Sequence, residues 1–112
     1  MRRVFVDPDA PQRDALQEAA KWLRKGGLVA LPTDTLYGLA ANPFCVEAIA
    51  RVFIVKGRMA DRALPLIAAD ADQIAARLGP LPPIGNRLAE RFWPGPLTLL
   101  VRAPAALALD AW

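Results

Sequence analysis

Proline and glycine repeatedly interrupt the apolar segments of this chain, and these interruptions limit the lengths of its helices and strands. The chain has 112 residues, of which 11 are proline and 7 are glycine, and the prolines lie mostly between apolar segments. Proline ends a helix and is excluded from the middle of a sheet, so each segment has room only for a short helix or a short strand. Helical and strand-like segments alternate along the chain, and this order predicts an α/β or α+β fold with a mixed sheet.

The spacing of apolar residues separates the helical segments from the strand-like ones. Residues 11–25 carry apolar side chains at helical spacing and stop at Gly26-Gly27, so they predict an amphipathic helix. Residues 28–32, LVALP, are too short for a helix and predict a buried strand. By the same criteria, further helices are predicted at 46–55, 71–78 and 84–92, and further strands at 64–69 and 94–103.

Composition limits the class of protein. Hydrophobic residues make up 54% of the chain and charged residues 22%, which is typical of one globular domain. A single cysteine, Cys45, excludes an internal disulfide, and no run approaches the roughly 18 to 20 apolar residues of a membrane span. The first residues, MRRVFVDPDAP, hold only a three-residue apolar run and do not resemble a secretory signal. We therefore expect a cytoplasmic protein with no membrane partner.

The chain contains no histidine. A Ser/His triad, a histidine-containing zinc site and a histidine proton shuttle are therefore excluded for this chain. Any chemistry must use lysine, arginine, carboxylates, hydroxyls, backbone amides or a metal ion that arrives with a substrate. The formal net charge of +3 fits an anionic small molecule or RNA and does not decide between them.

Three small polar side chains, Thr33, Asp34 and Thr35, follow the first predicted strand in LPTDTLYGLAANP. Open α/β sheets bind ligands at the carboxyl ends of their strands, and a threonine hydroxyl can both donate and accept a hydrogen bond. The same residue types also cap turns and helices. From these residues alone, the ligand and the capping interpretations both stay open.

A basic cluster, Lys56-Gly57-Arg58 with Arg62 after it, follows the second predicted helix. Residues two apart do not share a helix face, so Lys56 and Arg58 can reach one ligand only if the chain leaves the helix at Gly57. Cations at such a junction suit a triphosphate. The helix dipole also stabilises cations at a helix carboxyl end without any ligand, so the two interpretations are again open.

A third segment, FWPGPLTLL at residues 92–100, predicts a turn that Phe92 and Trp93 anchor in the core, with base stacking by these two rings as the alternative. With GGLVALPTDTLYGLAANP and KGRMADRALPLI, it makes the chain resemble the YrdC/Sua5 family of L-threonylcarbamoyladenylate synthases over roughly residues 14 to 102. The resemblance implies an α/β (α+β) fold, with helices and a twisted mixed open sheet around a concave basic cleft, similar to YrdC and RibB proteins. It also implies a single YrdC-like domain over residues 1–112 that lacks its carboxyl-terminal part.

The resemblance further implies a reaction. Family members join L-threonine, bicarbonate and ATP, with Mg²⁺, into threonylcarbamoyl-AMP and pyrophosphate for the t6A37 modification of tRNA. In this chain it implies Thr35 and Thr33 in the threonine site, Lys56 and Arg58 as catalytic and ATP-binding cations, and Arg62 as a further ATP contact. No metal ligand from the protein is implied. The implied macromolecular partners are tRNA or double-stranded RNA and the downstream tRNA threonylcarbamoyl-transferase complex.

Two other classes of function stay open. The family cleft can attract RNA, so one alternative is an RNA-binding module whose affinity falls steeply with salt. The other is a catalytically inactive half-domain that pairs with a second chain through an exposed edge strand near Leu99. A mass in solution that depends on concentration would identify the second alternative.

Overall fold

The fold is α+β. The computed structural model describes residues 1–57, 63–102 and 107. Each predicted helix is confirmed close to its expected bounds, and no helix in the described ranges has both the length and the apolar character needed to cross a bilayer. In chain order the elements are α1 (Arg13–Arg24), β1 (Val29–Leu31), β2 (Gly38–Ala40), α2 (Val46–Lys56), α3 (Ala71–Leu78) and α4 (Pro83–Phe92).

Strands β1 and β2 form an antiparallel hairpin, which is the whole sheet in the part of the chain that the structure describes. The register pairs Val29 with Ala40 and Leu31 with Gly38. The sequence does not predict β2, because a three-residue segment that contains glycine and alanine has little preference for a strand. Strand β1 is half-buried rather than buried, since β2 is its one described neighbour.

The two predicted strands at 64–69 and 94–103 are wrong for the residues that the structure describes there. Residues 64–68 and 97–102 have no regular secondary structure, so Leu99 does not lie on an edge strand. A strand needs a neighbour that pairs with its N–H and C=O groups, and no described segment pairs with either one. Leu64 does pack against the core, whereas Ile67 is 83% exposed.

The core centres on one face of α2. Burial at i, i+1, i+4 and i+5 is the pattern of a helix that packs on one side. Ile49 and Phe53 form the core cluster, and Ala41 and Leu64 pack against it. The buried apolar residues among those described are Ala48, Ile49, Val52, Phe53, Ala89 and Leu107.

Arg51 ties α2 to the turn between α1 and β1. Its Nη2 donates to the carbonyl oxygen of Gly26 at 2.6 Å, and its Nε donates to the carbonyl oxygen of Glu47 at 3.3 Å. Gly26 has a φ of 78°, and a Cβ at this position would lie 3.1 Å from Cys45 Sγ. Glycine therefore allows both the left-handed turn and the close approach of α2.

Replacing Arg51 by alanine should lower the free energy of unfolding by about 1 to 2 kcal/mol, because a charge-assisted hydrogen bond between two elements is lost. Urea unfolding of the variant and the parent measures this difference. The matched control is Arg87→Ala in α4, an exposed arginine with no hydrogen bond to the described residues, which should stay within about 0.5 kcal/mol. Equal losses in the two variants would contradict the bracing role of Arg51.

Candidate functional site

The polar segment after β1 is a hairpin loop, residues 32–37, and not a crossover to a helix. Leu31 of β1 pairs with Gly38 of β2, and this pair flanks the loop. Every side chain of the loop is exposed, and Leu36 and Tyr37 are 79% and 78% exposed. The two short strands thus present a six-residue loop to solvent.

The Thr33 hydroxyl organises the hairpin loop. It accepts hydrogen bonds from the N–H groups of Thr35 at 3.3 Å and Leu36 at 3.2 Å, and it donates to the carbonyl oxygen of Leu36. A hydroxyl has one proton and two lone pairs, so these three bonds use its full capacity. The capping interpretation is confirmed for Thr33.

The Thr35 hydroxyl is more available to a ligand. Its Oγ1 lies 3.4 Å from Thr33 Oγ1, a long contact, and it makes no other hydrogen bond with the described residues. Because Thr33 Oγ1 already uses its proton and both of its lone pairs, this contact adds no full hydrogen bond, and the Thr35 hydroxyl is left to donate and to accept. Asp34 is exposed beside it. The loop therefore offers a hydroxyl and a carboxylate to solvent on a braced backbone.

Substituting valine for Thr33 and for Thr35, one at a time, tests whether the first braces the loop and the second leaves its hydroxyl available. Valine keeps the shape of threonine and removes the hydroxyl. We expect Thr33→Val to lower the free energy of unfolding by about 0.5 to 1.5 kcal/mol, since the loop N–H groups lose their acceptor. Thr35→Val should change it by less than about 0.5 kcal/mol. Urea unfolding of both variants checks the difference, and a larger loss at position 35 would reverse the assignment.

Lys56 is the last residue of α2 and is exposed. Gly57 follows with φ 58° and ψ 31°, and its N–H donates to the carbonyl oxygen of Ile54 at 3.1 Å. A left-handed glycine turns the chain away from the helix axis, so the predicted exit at Gly57 is confirmed. Arg58 and Arg62, the other two predicted cations, lie outside the described residues.

The structure brings some predicted site residues together and leaves others apart. Thr33 and Thr35 are in contact within the hairpin loop. Lys56 makes no hydrogen bond to that loop within the described ranges. Arg51 is not a sequence-predicted site residue, although an arginine between Ala50 and Val52 in an apolar helix is a signal that could have identified its bracing role.

The amino-terminal end of α2 carries a carboxylate with a shifted pKa. The pKa of Glu47 is lowered from its ordinary value, chiefly by a hydrogen bond from its own backbone N–H. The Cys45 thiol, with Sγ 3.4 Å from Glu47 Oε2, and the charge of Arg51 lower it further, while desolvation opposes them. An anion in the first turn of a helix is favoured by the helix dipole, so the charge of Glu47 stabilises the start of α2. Among the described residues, no group of three or more His, Cys, Asp and Glu is arranged to hold a metal ion.

Comparison with protein sequences finds one family over most of the chain. The family model Sua5_yciO_yrdC, described as "Telomere recombination", matches residues 21–111. The threonylcarbamoyl-AMP synthase of Pyrococcus abyssi is 46% identical over 83 residues, which cover 74% of this chain and 24% of that protein. The threonylcarbamoyl-AMP synthase of Halorhodospira halophila is 39% identical over 97 residues, which cover 87% of this chain and 50% of that protein. The chain thus spans between about a quarter and a half of these two relatives.

Solved structures give the same relationship. A doubly substituted variant of P. abyssi Sua5 matches with a TM-score of 0.84 and 37% identity, over 92% of this chain and 32% of that one. P. abyssi Sua5 complexed with L-threonine matches with a TM-score of 0.82 and 38% identity, over 90% of this chain and 30% of that one. The backbone of this chain therefore has the YrdC-like fold of the corresponding part of Sua5.

Proposed function

The chain belongs to the Sua5/YciO/YrdC family, and from this premise we propose that it carries threonine-binding and ATP-binding residues of a threonylcarbamoyl-AMP synthase. The reaction joins L-threonine, bicarbonate and ATP into threonylcarbamoyl-AMP and pyrophosphate. The observation that carries the proposal is the hairpin loop, in which Thr33 holds the backbone and the Thr35 hydroxyl is available. The likeness to the Sua5 complex with L-threonine supports assigning threonine to this loop.

The two loop threonines have different roles in this proposal. Thr35 contacts the substrate directly, because its lone pairs can accept from the substrate ammonium group or hydroxyl. Thr33 belongs to the threonine site through the backbone that it braces, since its own hydroxyl is saturated within the loop. A braced loop binds better than a mobile one because less conformational entropy is lost when the ligand arrives.

The ATP phosphates are assigned to the basic cluster after α2. Lys56 supplies a point charge at the helix end, Arg58 supplies a planar bidentate donor, and Arg62 supplies a further nucleotide contact. The left-handed Gly57 supports this assignment, because it lets the residues on either side of it approach one ligand.

The chemistry of this proposal requires no histidine. The threonine amine and bicarbonate form a carbamate with loss of water, a carbamate oxygen attacks the α-phosphorus of ATP, and the bond from that phosphorus to the bridging oxygen breaks as pyrophosphate leaves. Alignment of the reactants and neutralisation of charge on the phosphate oxygens lower most of such a barrier. Lys56 and Arg58 would offset that charge, while Mg²⁺ enters with ATP as part of the substrate and is assigned no protein ligand.

The proposal extends to the setting of the reaction. Threonylcarbamoyl-AMP is a reactive mixed anhydride, so a tRNA threonylcarbamoyl-transferase complex must consume it, and tRNA is the final acceptor. We place this activity in the cytoplasm and assign residues 1–112 to one family domain that shares the YrdC-like fold.

Pyrophosphate release from ATP and Mg²⁺ tests the proposed reaction, measured with and without L-threonine and bicarbonate. Release that requires both substrates is the expected result. Thr35→Val should then raise the threonine concentration needed for half-maximal rate by about tenfold, with a smaller effect on that for ATP. Release that is independent of threonine, or an equal effect on both substrates, would contradict the assignment of Thr35.

A further inference from the structure

Helix α1 carries an exposed groove of about 450 Å³ along one face. The residues that line it recur at spacings of three and four, which places them on the same side of the helix. They are Asp14, Gln17, Glu18, Lys21, Trp22 and Lys25, and we call them the α1 face. Trp22 is 58% exposed. An exposed tryptophan among charged side chains is typical of a contact surface, because tryptophan is enriched at the centres of protein interfaces.

The turn after α1 holds the Trp22 indole in place. The N–H of Gly27 donates to the carbonyl oxygen of Trp22 at 3.0 Å. A Cβ at Gly27 would overlap Nε1 and Cδ1 of the indole, so the pyrrole edge of the ring lies directly on the glycine backbone. The rest of the ring stays exposed. A ring that is already fixed loses little side-chain entropy when a partner covers it.

The charges of the α1 face are ordered along the helix. Asp14 and Glu18 lie toward its start. Lys21 and Lys25 lie toward its end, and neither lysine has an ion-pair partner among the described residues. The face is therefore neutral overall, which gives it no preference for a polyanion such as RNA. A face that is negative in one half and positive in the other is complementary to a reversed copy of itself.

The spacing of these charges matches a two-fold axis. Asp14 and Lys25 lie equally far from the midpoint between residues 19 and 20, and so do Glu18 and Lys21. In an antiparallel pair of α1 helices centred there, Asp14 of one copy meets Lys25 of the second copy. By the same symmetry, Glu18 meets Lys21 of the second copy, and each contact occurs twice. A parallel pair would place like charges together, which disfavours it.

We propose that the α1 face is a self-association surface, through which two copies of the chain form an antiparallel dimer with two-fold symmetry. The proposal rests on α1 and not on the proposed reaction. The two Trp22 rings form the apolar part of the interface, because they lie on the same side of it, about 7 to 8 Å apart along the helix axis. Glu18 accepts from Arg2 at 2.8 Å, and its carboxylate has further acceptor positions for Lys21 of the second copy.

The dimer should be weak and sensitive to salt. Helix α1 has 12 residues, so it is about 18 Å long and 10 Å wide, and a contact of that size buries less than the standard 800 Å² or so per partner. Interfaces of standard size have affinities from micromolar to picomolar, so we expect a dissociation constant on the order of 10 to 100 μM. Added salt should raise this constant, because exposed ion pairs are screened.

Charge reversal on α1 tests the proposal, with the mass of the 112-residue chain measured by sedimentation equilibrium over a concentration series. The parent should pass from monomer to dimer as its concentration rises. The double variant Lys21→Glu/Lys25→Glu has an acidic α1 face and should stay monomeric. The double variant Asp14→Lys/Glu18→Lys has a basic α1 face and should also stay monomeric. An equimolar mixture of the two variants should form a heterodimer, because every ion pair is restored between them.

The matched control is the double variant Arg77→Glu/Arg87→Glu, which makes the same change in net charge as Lys21→Glu/Lys25→Glu. Both arginines are exposed, on α3 and α4, so this variant should dimerise as the parent does. Circular dichroism of each variant separates a loss of association from a loss of folding. If a double variant of α1 does not fold, the single variants Asp14→Lys and Lys25→Glu provide the same test, because each weakens its own dimer and the mixture restores it.

Three results would overturn the proposal. The first is a parent chain that stays monomeric at concentrations well above the expected dissociation constant. The second is a dimer that the α1 variants leave unchanged, or that the control on α3 and α4 weakens equally. The third is a mixture of the acidic and basic variants that forms no heterodimer although both variants are folded.

Discussion

Replacing Lys56 by alanine should lower the proposed affinity for ATP by about tenfold to a hundredfold and should leave the fold intact. A charge-assisted hydrogen bond to a phosphate oxygen contributes about 1.5 to 3 kcal/mol, and a loss of that size corresponds to this range of affinities. The fold survives because Lys56 is exposed at the end of α2 and packs into no core. Titration calorimetry with MgATP measures the affinity, and the thermal midpoint monitors the fold.

The control separates a phosphate site from a simple helix-end cation. Lys21 is also a basic residue in the last turn of a helix, α1, and is exposed. Both lysines interact favourably with a helix dipole, so Lys21→Ala and Lys56→Ala should have similar small effects on stability. Only Lys56→Ala should weaken ATP binding. Unchanged affinity in Lys56→Ala, or an equal loss in Lys21→Ala, would rule out the phosphate role.

Replacing Phe53 by alanine should remove a large part of the stability of the chain. Phe53 is 7% exposed and forms the core cluster with Ile49, so its truncation leaves a cavity at the centre of a small core. Such truncations cost about 3 to 5 kcal/mol, against a total stability of about 5 to 15 kcal/mol for a domain. Urea unfolding followed by circular dichroism measures the loss.

The neighbouring residue supplies the control for Phe53. Ile54 is 77% exposed, so Ile54→Ala should change the free energy of unfolding of the isolated chain by less than about 0.5 kcal/mol. If Phe53→Ala does not fold, Phe53→Leu provides a measurable intermediate, with an expected loss of about 1.5 kcal/mol or less. Equal losses at positions 53 and 54 would mean that α2 has no preferred core face.

The helices were predictable because their signals are local. Helix α3 begins after Asp70, which accepts from the N–H of Gln73 at 2.7 Å, and it ends at Gly79 with a φ of 95°. A capping residue and a terminating glycine act within one turn of the helix, so the sequence contains all the information that is needed. The same holds for α2, where Gly57 ends the helix as predicted.

The strands were harder to predict because a strand depends on its neighbour. Residues 64–68 are apolar enough for a buried strand, yet in the described chain they have no partner and remain irregular. Gly38, Leu39 and Ala40 have weak strand preference and still pair with β1. Pairing depends on which segments meet in space, and a single sequence does not specify that.

The candidate site was also predictable only in part. The sequence identified Thr33, Asp34 and Thr35 as ligand or capping residues but did not separate the two roles. Hydrogen-bond geometry separates Thr33 as the cap from Thr35 as the available hydroxyl. The partner of Arg51 could not be identified from the sequence, because Gly26 lies 25 residues away along the chain.

The positions of the four described helices, the lack of histidine in these 112 residues and the resemblance to the Sua5/YrdC family could all be identified from the amino-acid sequence. Helix capping and helical periodicity depend on residues a few positions apart, and composition is a property of the whole chain. None of these signals depends on tertiary contacts. Three features became visible in the folded chain: the polar segment is a hairpin loop, Arg51 braces the turn at Gly26, and one face of α2 is exposed in the part of the chain that the structure describes. These features depend on contacts between residues distant in sequence, whose geometry is set by packing and not by local preference.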